Sequence, residues 1–129
     1  MHFINERHVM RYFQALKEYG INPRDNERKA LMYCLSSMES IYNRMDKVYN
    51  KASQGIVLHK TGPGNDMADY TVDPCFGGLE KIIIRLGFNL YNGYIDANVN
   101  PRALYMESPS MRRVVYQAME IFFAGDNYI

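Results

Sequence analysis

The chain has 129 residues, 47% of them hydrophobic, and 15 Lys and Arg against 14 Asp and Glu give it a formal charge of +1. That length supports one core, so residues 1–129 read as a single domain, and the composition is that of a chain that folds unaided. So even a balance creates no global field for nucleic acid or an anionic membrane, although residues 1–64 hold ten basic and six acidic side chains and residues 65–129 five and eight.

No apolar run approaches the roughly 20 residues of a membrane span, and the opening Met-His-Phe-Ile-Asn-Glu-Arg lacks the apolar stretch of a signal peptide. Cys34 and Cys75 are too sparse for a disulfide framework. A cytoplasmic protein without membrane contact is expected. Eleven tyrosines and nine methionines suit interaction surfaces as well as cores.

Asn5 is placed to cap a helix running to about Tyr19, with Val9, Tyr12, Phe13 and Leu16 as its apolar stripe and Gly20 as its stop. Asn22-Pro23 or Asp25 opens the next helix, lined by Leu31, Cys34, Leu35 and Met38. The apolar register runs on through Ile41, Tyr42, Met45, Val48 and Tyr49, but Ser36-Ser37 predicts a break, because serines compete with the helix for its own backbone groups. From Lys51 to Asp73 turn residues cluster, and Ile56-Val57-Leu58 with Tyr70-Thr71-Val72 are the runs from which a short β-hairpin at about 55–73 would form.

Asp73-Pro74 then signals the most apolar helix, over about 73–92, with Phe76, Leu79, Ile83, Leu86 and Leu90 in one stripe and Gly93 as its end. Gly87 in its middle implies close approach of a neighbouring backbone. A short turn at Asn100-Pro101 and a last helix from Ser108-Pro109 to Gly125 complete the chain, the latter burying Met111, Val114, Val115, Ala118 and Phe122. The fold expected is mainly α: five or six helices around a central helix at about 73–92.

No motif pairs a nucleophile with a base, and His2, His8 and His59 stand at no metal-ligand spacing. No cofactor and no metal are therefore expected. Cys75, read as lying in the first turn of a helix, is the one thiol that a helix dipole would activate, but no histidine neighbours it. The Thr61 to Asp66 loop has two glycines without the lysine and hydroxyl of a phosphate loop. The polar residues that stand out are Arg85, Asn89 and Asn92, four and three apart on one helix face, and His8 beside its cap Asn5. Arg24, Arg28 and Lys29, and Arg112-Arg113, form small basic patches, read as solvated faces.

The segment from Arg85-Leu86-Gly87-Phe88-Asn89 to Leu90-Tyr91-Asn92-Gly93-Tyr94, with Phe3-Ile4-Asn5-Glu6-Arg7-His8, resembles an uncharacterised family of small proteins from Firmicutes and their phages or mobile elements. That resemblance implies a setting and no activity. The leading expectation is a non-enzymatic interaction protein, an accessory or counter-defence factor that binds and blocks a host protein. A nucleic-acid-binding module is a second reading and requires the basic N-terminal half and Arg112-Arg113 to converge. A small-ligand binder or enzyme using Arg85, Asn89, Asn92 and His8 is a third, and homo-oligomerisation is open in all three.

Overall fold

The computed structural model describes residues 1–66, 70–93, 102 and 108–125. Among these, five helices carry the architecture: α1 (Glu6–Glu18), α2 (Asn26–Leu35), the single turn α3 (Glu39–Tyr42), α4 (Gly78–Asn92) and α5 (Pro109–Ala124). A 3-10 turn at Met45–Lys47 and four two-residue strands, β1 (Tyr49–Asn50), β2 (Gly55–Ile56), β3 (His59–Lys60) and β4 (Tyr70–Thr71), lie between α3 and α4. No helix among the described residues is long and apolar enough to cross a membrane.

The capping signals act where they stand in the sequence. Asn5 accepts the His8 N–H at 2.9 Å, Asp25 accepts the Arg28 N–H at 3.0 Å, and Ser108 accepts the Met111 N–H ahead of Pro109. Gly20, Gly93 and Gly125 all take positive φ at the expected stops. The serine break is real too: Ser36 Oγ donates to the Tyr33 carbonyl and Ser37 Oγ to the Cys34 carbonyl, so α2 ends at Leu35 instead of running on.

Three expectations change. The helix enclosed by the others is α2, in which every residue from Lys29 to Leu35 is buried; it packs against α1, α4 and α5. Arg28 and Lys29 gave this segment a half-polar look that concealed its position. Next, α4 begins at Gly78, since the Asp73 carboxylate accepts the Cys75 N–H at 2.9 Å and closes a turn before any helix forms. Glu80 makes the actual start by reaching back to the Gly77 N–H at 2.7 Å.

The third change is in the strands: a hairpin does form within 55–73, from β3 and β4, but β2 pairs with β1 in a second ribbon. Tyr49 pairs with Ile56 and Asn50 with Gly55, while His59 pairs with Thr71 and Lys60 with Tyr70. The short Lys51–Gln54 connection, with Gln54 left-handed at φ 56°, closes the first ribbon at less entropic cost than a partner some fifteen residues away would. Val48, Tyr49 and Val72 are buried and anchor the ribbons to the helices. The expected turn at Asn100-Pro101 and the chain end after Gly125 lie outside the described residues.

The core is formed where α4 and α5 close on α2. Ile83, Ile84, Leu86, Phe88 and Leu90 of α4, and Val114, Val115, Ala118 and Ile121 of α5, are buried around Leu31 to Leu35. Gly87 does meet α2 closely, but against side chains where a backbone was expected: a Cβ there would stand 3.0 Å from Cys34 Cβ and 3.3 Å from a Leu31 methyl. The Cys34 Cβ is fixed to its backbone, so a larger residue must push two helices apart. Gly87→Val is expected to destabilise the fold by about 1 to 3 kcal/mol, as overpacking usually does, and urea unfolding measures it.

Candidate functional site

His8 occupies the contact between α1 and α2 and is fully buried. Its Nδ1 accepts the Ile4 N–H at 3.1 Å, which leaves Nε2 as the protonated nitrogen, donating to the Tyr33 carbonyl at 3.1 Å. Phe3, Tyr33 and His8 pack ring against ring. Burial brings the His8 pKa down to about 4, against the smaller upward pull of its bond to Tyr33. None of its hydrogen bonds goes to α4, so the structure does not gather His8 with the other three residues singled out in the sequence.

Arg85, Asn89 and Asn92 do share a face of α4. The first two are half-buried and Asn92 is exposed at the last position of the helix. They form a line along the helix, and the Asn89 carbonyl takes the Gly93 N–H that ends it.

Of the patch read as a solvated face, Arg24 is exposed as expected, whereas Arg28 and Lys29 are tied into the structure. Lys29 is buried with Nζ donating to the Pro23 carbonyl at 2.9 Å. Arg28 donates to the Asp25 carboxylate at 2.8 Å, to the Gln54 carbonyl at 2.9 Å and to the Tyr91 hydroxyl at 3.0 Å, with its guanidinium over the Tyr91 ring. Arg11 donates from Nε to the Ser36 carbonyl at 2.7 Å and from Nη2 to the Ser37 carbonyl at 3.2 Å. Arg44 donates to the Cys75 carbonyl at 3.0 Å. Four cations are thus tied to backbone oxygens of other segments, where a charged donor makes a stronger bond than a neutral one.

Cys75 is exposed in the turn ahead of α4, not in its first turn. Desolvation and the adjoining Asp73 carboxylate push its thiol above the ordinary range, opposite to what a nucleophile needs. Cys34 is buried and raised to about 12 by desolvation. Among the described residues no three His, Cys, Asp or Glu side chains meet as a metal centre requires.

A groove of about 420 Å³ lies between α1 and α3. Arg7, Met10, Arg11 and Gln14 form its α1 wall, and Glu39, Tyr42 and Asn43 its α3 wall. Met10 is 69% exposed, and the Tyr42 hydroxyl is buried with no hydrogen-bond partner among the described residues. Glu39 attracts Arg11 across the groove and partly offsets the downward pull of burial on its pKa. Arg7 is exposed and forms no ion pair among the described residues. The α1 half of this groove was visible in the sequence as a stripe at positions i, i+3, i+4 and i+7; its α3 half depended on a break whose direction no local signal sets.

The chain is thus a mainly helical protein with an open groove between α1 and α3. It belongs to the family of unknown function DUF6075, whose model matches residues 1–128. No curated protein and no solved structure gave a significant match.

Protonating His8 breaks its bond from the Ile4 N–H and buries a charge, so the native state resists it. The unfolded chain, with an ordinary histidine pKa near 6.5, takes up that proton first, and stability therefore falls as pH drops from 6.5 towards 4. The His8 contribution to that loss is about 3 kcal/mol. Urea unfolding at stepped pH should show a shallower slope in His8→Gln than in the natural chain; equal slopes would mean His8 does not titrate in this window.

Proposed function

We propose that this protein acts by binding rather than by catalysis, and that the groove between α1 and α3 receives a segment of a protein partner. The observation that carries this reading is one open groove walled by an exposed Met10, an exposed Arg7 that makes no ion pair among the described residues, and an exposed Glu39. An apolar side chain beside a carboxylate or amide is what such a lining accepts. Met10 offers an adaptable contact and Arg7 a planar donor pair.

The same facts favour a protein over a nucleic acid. Arg11, Arg28, Lys29 and Arg44 are committed to carbonyls, which reduces what the basic half has left for phosphates. Arg85, Asn89 and Asn92 serve in this reading as structural groups of α4. In the setting that the sequence resemblance implies, a mobile element in a bacterium, the partner is a host protein held in the cytoplasm and blocked by occupation.

Met10→Glu and Arg7→Glu change exposed positions and should leave the melting temperature where it is. In affinity capture from lysate of the source cell, a partner recovered with the natural chain should be lost by both variants. Capture of the same partners by both variants, or of none by the natural chain, overturns the proposal.

A further inference from the structure

The outer face of α5 is a second surface, remote from the groove in its elements and in its chemistry. Pro109, Arg113, Tyr116, Glu120 and Phe123 are all exposed, Tyr116 at 67% and Phe123 at 77%. Their spacings run four, three, four, three, an average of 3.5 residues, which keeps all five in one narrow strip along the helix. The opposite face, with Val114, Ala118 and Ile121, is fully buried. Among the described residues Arg113 and Glu120 make no ion pair, and the Tyr116 hydroxyl has no hydrogen bond.

The geometry points to a second copy of this chain as the occupant of that strip, with two α5 helices packed antiparallel about a two-fold axis at the level of Ala118. The reason is that the strip complements itself in that register. Placing Arg113 opposite Phe123 of the other copy also places Tyr116 opposite Glu120, and the two-fold repeats both contacts. A guanidinium then lies over an aromatic ring, and a phenol O–H donates to a carboxylate. Arg113 also comes within one turn of the opposing Glu120, so the two glutamates beside the axis are flanked on either side by a guanidinium. A parallel pairing would set Arg113 against Arg113 and Glu120 against Glu120, and like charges on a seam oppose association. A strip of five residues a side is small beside a permanent interface, so the dimer is weak and forms as concentration rises.

Sedimentation equilibrium on the full chain, from micromolar to the millimolar range, tests this. The natural chain should move from monomer towards dimer. Arg113→Glu and Glu120→Arg, each alone, should raise the dissociation constant by at least about tenfold with an unchanged circular dichroism spectrum. Mixed in equal amounts, the two variants should associate with each other, because one strip is then wholly acidic and the other wholly basic. A natural chain that stays monomeric throughout, single variants that dimerise as well as it does, or a mixture that fails to pair would each overturn the proposal.

Discussion

The carbonyl end of α2 is the constraint that the rest of the structure serves. A helix leaves its last four carbonyls without partners inside itself, and here that end is buried at Tyr33 to Ser37, where water cannot satisfy them. No glycine follows to turn the chain back. The partners come from elsewhere: His8 and Ser36 to the Tyr33 carbonyl, Ser37 to Cys34, and Arg11 to Ser36 and Ser37. Two of those groups sit on α1, one turn apart less a residue, so α1 is held where it is by what α2 lacks. The groove between α1 and α3 follows from that, since α3 begins as soon as the serines release the chain.

The other end of α2 is fixed by a similar device. Asp25 caps the helix and holds Arg28, and Arg28 carries the tie on to the Gln54 carbonyl and Tyr91. One side chain thereby joins the start of α2, the first ribbon and the last turn of α4. The positive excess in the first half of the sequence is in large part this internal wiring. Counted as charge it looked like a surface property, whereas bonded to carbonyls it belongs to the architecture.

The sequence disclosed those features whose causes are local. Caps at Asn5, Asp25 and Ser108 and the break at Ser36-Ser37 depend on side chains within a few residues of the backbone they bond, and they were readable. Asp73-Pro74 misled because the same carboxylate that caps a helix also closes a turn, and only Glu80, three residues past Gly77, decides between them. The rank of the helices was not readable either. Residues 78–92 are the more apolar segment, but enclosure depends on how many neighbours a helix has, and α2 reaches α1, α4 and α5 at once. Of the polar residues singled out, His8 was recognisable as part of a cap; its bond to a carbonyl twenty-five residues away was not.

The two cysteines now differ in a way that their sequence contexts did not foretell. Cys34 sits at the crossing of α2 and α4, pressed against the bare backbone of Gly87, whereas Cys75 stands in an exposed turn. A thiol-reactive dye therefore meets one sulfur at once and the other only after the two helices part. The chain carries its own clock for opening of the core: where labelling outpaces reclosing, the second equivalent of label enters at the rate at which α4 leaves α2, in native buffer and with no introduced cysteine.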